Sequence, residues 1–268
     1  HSFPTRRSSD LIHYRKTIEI NPDYVFAYSN LGNTLVRKAE WVVSRGGDPQ
    51  SLLKEARDLL HAAIDNRPNY HNAMKNLSET YLVEARFRAR RDEDPLVLLR
   101  EARTHLDRAR ELNPSSAEFL ALDANIWLAE ALWFQTHGRS PADALNRARN
   151  SLISADNLNP RDAEIQALEA KRGWMMAVWL LQHGADAQTA LQEAESHARK
   201  SINLNEDLAE GHQALGIILC LKARGTGSGS KELLDESHTE WERAVKLNPM
   251  LKEIGRAHVC TPVTSVNL

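Results

Sequence analysis

The sequence predicts an all-α fold, an α-solenoid of antiparallel helix pairs, on three observations. Prolines stand at Pro22, Pro68, Pro114 and Pro160, each 46 residues after the last; Glu206 keeps the step and Pro249 follows after 43. Ahead of these markers small and apolar residues recur in one phase: Ala56, Leu60 and Ala63, then Ala102, Leu106 and Ala109, then Ala148, Leu152 and Ala155. That spacing of i, i+4 and i+7 is one face of a helix. Turn-forming residues split every repeat into two helical stretches, A and B. A repeat of this kind cannot bury its apolar face alone, so neighbours must stack.

The elements follow in order. Ile12 to Ile20 is the B helix of a repeat whose A helix would precede it. Five whole repeats come next, at about 23–68, 69–114, 115–160, 161–206 and 207–249, and the chain is entering a further A helix at Lys252. Helix A should end at Gly46-Gly47-Asp48-Pro49, Asp92 to Pro95, His137 to Pro141, His183-Gly184-Ala185-Asp186, and Gly225 to Ser230. Its expected length is therefore roughly 20 residues, at the long end of globular helices. Asp48-Pro49, Asp94-Pro95 and Ser140-Pro141 each place a capping side chain before a proline at the first position of helix B. The proline after helix B lacks an N–H and turns the preceding residue away from helix, so the helix stops. Gly32, Ala124, Ala170 and Gly216 are expected where A meets B, with Ala63 and Ala109 opposite, letting the axes approach.

Tyr28, Leu31, Gly32 and Leu35 have the spacing W-x2-L-G-x2-Y, with Tyr for Trp and Leu for Tyr; Trp241, Ala244 and Pro249 close the fifth repeat as Leu60, Ala63 and Pro68 close the first. On these residues the stretch 12–252 resembles the tetratricopeptide repeat (TPR) family. The family's usual unit is about 34 residues, so about twelve are added here, between Leu35 and Ala56 and at the same place in later repeats. HEAT and armadillo repeats match the length but lack this Gly/Ala/Ala/Pro set. The resemblance implies a right-handed superhelix that binds a peptide or partner domain on a concave face lined by helix A. Carried over position by position, the groove residues are Asn33, Lys75, Glu79, Asn125, Lys171, Trp174 and Gln213. Some members clamp a C-terminal carboxylate with Lys and Asn on three successive A helices. Here Ser29 replaces the first Lys, Asn33 and Asn76 fit the Asn positions, and Glu118 and Leu122 stand where bases are needed. A carboxylate-tail receptor of that type is excluded, because acidic side chains repel a carboxylate.

Composition narrows the rest. The chain has 268 residues, 42% hydrophobic and 26% charged, with 34 basic and 36 acidic groups for a net charge of −2. That is the range of a folded soluble chain and gives no electrostatic case for nucleic acid. The longest apolar run, Trp174 to Leu181, is far short of the roughly 20 residues a membrane span needs. Two cysteines exclude a disulfide scaffold, and the lone one inside the repeats, Cys220, is expected as a buried structural thiol on a helix. There is no H-E-x-x-H, C-x-x-C or G-x-S-x-G, and the histidines have no ligand spacing. No catalytic, cofactor or metal residue is expected, and the stretch is read as non-enzymatic. Gly225 to Lys231 lacks G-x4-G-K-[ST] and follows a helix, so it reads as a connector. Arg86, Arg88, Arg90 and Arg91 complement a helix C-terminus. Trp241 is expected in the core, and Trp41, Trp133 and Trp179 against the lengthened helix B. A cytoplasmic location is expected from the lone cysteine and the lack of a span.

The ends, HSFPTRRSSDL (1–11) and EIGRAHVCTPVTSVNL (253–268), lack periodicity. They resemble translated sequencing-adapter DNA read from opposite sides and are expected to be disordered and outside the fold. On that reading 12–252 comes from a longer reading frame, and its uncapped ends would self-associate. The function expected is a non-catalytic protein–protein interaction scaffold, with no membrane or nucleic-acid partner. The alternative is a docking arm of a signalling enzyme: long-unit arrays with Ala-Ile/Leu…Asn-Pro tails resemble those following bacterial serine/threonine kinase domains. A third possibility is a glycosyl- or sulfotransferase fused to such repeats.

Overall fold

The computed structural model describes residues 5–225, 230–249 and 251. These form eleven α-helices and no strand among the described residues: α1 (Thr5–Ile20), α2 (Val25–Val43), α3 (Gln50–Asn66), α4 (His71–Ala89), α5 (Leu96–Leu112), α6 (Ala117–Thr136), α7 (Ala142–Leu158), α8 (Ala163–Gln182), α9 (Gln188–Leu204), α10 (Ala209–Gly225) and α11 (Ser230–Leu247). The fold is the all-α solenoid of helix pairs that the repeat implies. Even-numbered helices from α2 to α10 are the A helices and odd-numbered ones the B helices. The first four A helices are 19 or 20 residues long. Helix B holds at 17 residues in four successive repeats.

Two compact units divide the chain, residues 1–122 and 123–268. In the N-terminal unit α2 packs on α3 and α4 on α5, α3 meets α4, and the A helices α2 and α4 touch directly. In the C-terminal unit α8 pairs with α9 and α10 with α11, while α8 also touches α10. Each unit thus stacks A on A alongside its A–B pairs, so successive A helices within a unit present neighbouring faces.

Small residues set the A–B spacing. A Cβ placed on Gly32 would lie 2.8 Å from Leu60 Cγ, and one on Gly216 3.2 Å from the Ser237 carbonyl oxygen. Ala124 and Ala170, at the same repeat position, are wholly buried. On the B side Leu53, Ala56, Leu60 and Ala63 are completely enclosed, and Ala148, Leu152 and Ala155 repeat the pattern. Each such leucine contributes about 1.5–3 kcal/mol by leaving water.

The A–B turns are built alike. Gly46, Asp92, Gly138 and Gly184 have φ of 73°, 62°, 65° and 69°, each 46 residues on. Each is the left-handed residue of a Schellman stop: Gly47 N–H donates to the Val42 carbonyl at 3.0 Å and Gly46 N–H to Val43 at 3.0 Å, with the equivalent pair at the next three turns. Helix B then starts on a side-chain cap. Asp48 Oδ1 accepts the Gln50 N–H at 2.9 Å, Asp94 that of Leu96 at 2.8 Å, and Asp186 that of Gln188 at 2.8 Å. Pro49, Pro95 and Pro141 already have helical dihedrals.

Several expectations need correction. Residues 5–11, expected to be structureless, belong to α1. Leu11 lies in helical register with Tyr14 and Ile18, and all three pack against the cluster of Leu31, Leu35 and Leu53. That apolar stripe carries the helix back past Ile12, where the fold was expected to begin. Trp241 is half-buried, whereas Leu60 and Leu106 at its repeat position are fully enclosed; an indole is too large for a slot sized for leucine. Cys220 is buried, as expected, but it is disulfide-bonded and not a free thiol. Trp133 is buried, while Trp41 and Trp179 are half-buried. All three carry a partner four residues on, with Arg45 4.4 Å above Trp41 and the rings of His137 and His183 at 3.6 and 3.8 Å. The connector at 226–229 and the tail at 253–268 lie outside the described residues.

Candidate interaction face

Helix A is amphipathic in a repeat-specific way. The small residue that meets helix B (Gly32, Ser78, Ala124, Ala170) is fully covered, and the next residue in sequence is polar and half-buried: Asn33, Glu79, Asn125, Lys171. One helical step of about 100° carries the chain from the A–B seam to the open face. Four of the seven residues expected to line a groove are therefore one position, repeated on successive A helices.

In the N-terminal unit Lys75 dominates this face. Its Nζ lies 2.8 Å from Glu118 Oε1 and 3.4 Å from Glu79 Oε1. The lysine side chain is only 12% exposed, while Glu118 is 65% exposed. Burial by itself would lower the ammonium's pKa; the charges and hydrogen bonds of Glu79 and Glu118 outweigh it and hold the group above the ordinary lysine range. Asn33 is half-buried, and its Oδ1 is shielded without a donor. Asn76, which fitted a clamp position, is instead a structural tie. It is buried, and its Nδ2 donates to Ser29 Oγ at 3.0 Å, linking α4 to α2. Nothing in a single repeat signals this bond, because its two ends lie in different repeats.

In the C-terminal unit Asn125 and Lys171 are half-buried and engaged within the chain. Trp174 packs against the cluster of Ala170, Leu191 and Ala194, so much of its indole is core. Gln213 is half-buried on α10. Gln166, buried on α8, joins two B helices: its Nε2 donates to Asp156 Oδ1 at 2.6 Å, and its Oε1 accepts from His197 Nδ1 at 2.8 Å. Burial lowers the His197 pKa, partly countered by Glu169. Among the described residues no group of three or more His, Cys, Asp or Glu is placed to hold a metal, and no helix is long and apolar enough to cross a membrane.

A cluster absent from the sequence reading lies where α2 and α4 begin. The rings of Tyr24 and Phe26 are 5.5 Å apart and those of Phe26 and Tyr70 5.2 Å, edge to face. The Arg67 guanidinium sits 5.7 Å from both Phe26 and Tyr70. Its members come from two repeats, so only the stacking of α2 on α4 brings them together.

No protein-family model matches the chain. No curated protein matches it. Solved structures do. A thermophilic TPR protein of Thermus thermophilus, TTC0263, is 18% identical over 85% of this chain and 96% of that one, with a TM-score of 0.53. YrrB, a TPR protein with an unusual peptide-binding site, is 15% identical over 91% and 97% of the two chains, with a TM-score of 0.44. MamA is 17% identical over 76% and 93%, with a TM-score of 0.43. The likeness to the Thermus protein shows that the fold is TPR-like.

Proposed function

We propose that the chain is a non-catalytic interaction scaffold that binds an extended peptide, or an extended segment of a partner domain, on its helix-A face. The observation that carries this reading is the recurrence of one half-buried polar side chain, Asn33, Glu79, Asn125 and Lys171, at one position of successive A helices. Packed helices lie about 8–10 Å apart and an extended chain advances about 3.3 Å per residue, so a peptide bound within a unit would meet one such position about every third residue. In the N-terminal unit one ammonium faces two carboxylates, so the net charge of the group is negative. That face favours a ligand rich in N–H or ammonium donors over one bearing a carboxylate.

The test is selection of peptides on the intact chain from a random display library, followed by calorimetry. Peptides bound at this face lose affinity about tenfold with Glu79→Ala or Gln213→Ala, the loss of roughly one charge-assisted hydrogen bond. They are unaffected by Arg149→Ala, an exposed site on α7. Selected peptides that bind all three variants equally would overturn the reading.

A further inference from the structure

We infer that the N-terminal unit carries a second docking surface, distinct from the helix-A groove, for a partner peptide in which a carboxylate stands beside an apolar or aromatic side chain. The surface is Tyr24, Phe26 and Tyr70 at the N-terminal ends of α2 and α4, with Arg67 at the C-cap of α3, continued by Ile20.

The repeat itself shows that the fold does not require these residues. The position just before helix A is Tyr24, Tyr70, Ser116, Asp162 and Leu208 in successive repeats. Where it is polar it caps the helix: Asp162 Oδ1 accepts the Glu164 N–H at 2.9 Å, and Ser116 Oγ that of Phe119 at 3.3 Å. Tyr24 and Tyr70 make no side-chain cap, so α2 and α4 forgo a recognised source of helix stability. The residue before the marker is Asn21, Asn113, Asn159, Asn205 and Asn248, but Arg67 in this one repeat. Asn21 Oδ1 accepts the Asp23 N–H at 3.3 Å and Asn205 Oδ1 that of Asp207 at 3.1 Å, a turn bond that an arginine side chain cannot accept. The position of Phe26 is Asn72, Glu118, Glu164 and Glu210 elsewhere. Arg67 and Phe26 are thus singular at their repeat positions, tyrosine is confined to the first two repeats at the third, and the three positions meet in space.

Their chemistry is that of a binding surface. Tyr24 is 45% exposed, Phe26 40% and Ile20 75%, while Tyr70 is buried and anchors the group. Exposed rings grouped in this way offer apolar area at small entropic cost, and Tyr and Arg are enriched among residues that dominate binding energy. Arg67 lies against two rings and makes neither a side-chain hydrogen bond nor an ion pair among the described residues. Its guanidinium keeps five N–H donors for a ligand, and their fork matches a carboxylate with two parallel bonds. Charge complementarity therefore selects an acidic, apolar segment. The groove, where Lys75 is already matched by two carboxylates, selects against one.

The probe is a fluorescein-labelled, end-blocked peptide, Ser-Glu-Phe-Glu-Leu-Ser, titrated against the intact chain by anisotropy and by amide-shift mapping. Saturable binding is expected, with shifts at residues 20–26 and 66–72. Affinity should fall about tenfold or more with Arg67→Ala and with a probe carrying Gln for both Glu, and Arg67→Lys should recover only part of it. Tyr24→Ala, an exposed site that leaves the core intact, should weaken binding as well, and Glu79→Ala should not. The proposal is overturned by equal binding of the Gln probe, by indifference to Arg67→Ala, by no saturation up to about 1 mM, or by a drop in light-scattering mass on Phe26→Ala, which would mean a second copy covers the patch. Failure at the groove alone, with Glu79→Ala and Gln213→Ala silent toward library peptides, leaves these outcomes unchanged.

Discussion

Glu118 Oε1 lies 2.8 Å from Lys75 Nζ, so an exposed carboxylate at the start of α6 closes over a nearly buried ammonium on α4. Glu79 approaches the same nitrogen from one turn along its own helix, at 3.4 Å. Two carboxylates on one cation leave the site with no charge to offer an acidic ligand. The same pair links successive A helices, so the electrostatics of the face and the stacking of the repeats share a contact.

Glu118→Gln should therefore have unequal effects. Stability should fall by only about 0.5 kcal/mol, because the glutamate is mostly solvated and screened. Tolerance of carboxylate-bearing peptides at the groove should rise, because Lys75 regains a free N–H. Urea unfolding together with calorimetry using one library peptide and its C-terminal acid form separates the two effects. A loss above about 2 kcal/mol would show that the pair is structural first.

Ser78 tests the A–B seam. Its Oγ is fully buried and unpartnered, at a position held by Ala124 and Ala170 in the next two repeats. Ser78→Ala removes an unsatisfied hydroxyl from a site already sized for a methyl group. Stability should rise by about 1 kcal/mol. Thermal unfolding decides it, and a lower Tm would show that the hydroxyl has a partner.

Gly173 tests a close helix contact in the C-terminal unit. An added Cβ would lie 2.7 Å from Ala194 Cβ and 3.2 Å from its Cα, against backbone that cannot rotate away. Gly173→Ala should cost about 2 kcal/mol, as overpacking outweighs the gain in helix propensity of about 1 kcal/mol. Unchanged or improved stability in urea would mean that α8 and α9 can part without cost.

The pH dependence has a definite sign. His105 stacks on Tyr81, with ring centres 5.4 Å apart, and meets His61 edge-on at 5.9 Å. Burial, then the charge of His61 and that of Arg108, lower its pKa against a partial opposing pull from Glu101. His197 is lowered as well, again chiefly by burial. A base with a depressed folded pKa binds protons more readily when unfolded. Its contribution is therefore complete above the unfolded value of about 6.5 and is lost as pH falls through the folded value. Unfolding free energy should drop as pH falls below about 6.5, and His105→Phe, which keeps the stack, should flatten the slope. A flat wild-type profile would contradict this.

The helix pairs and their turns are legible in the sequence because each depends on residues close together in the chain. Gly46 and Gly184 at left-handed turns, and Asp48 and Asp94 at caps, act within a few residues of themselves. The start of α1 is not, because Leu11 falls within the adapter-like stretch although it completes the stripe of Tyr14 and Ile18. The tie from Asn76 to Ser29 and the meeting of Arg67 with Phe26 are hidden for another reason: their partners sit in different repeats. Repeat logic aligns equivalent positions; it does not say which non-equivalent ones touch.

Hydrogen–deuterium exchange on the intact chain, with and without a selected peptide, reads out directly whether ligands occupy the helix-A face. Binding at the proposed face predicts added protection in α2 and α4, or in α8 and α10, with the B helices unchanged. Protection confined to α3, α5, α7 and α9, or none at saturating peptide, would contradict it.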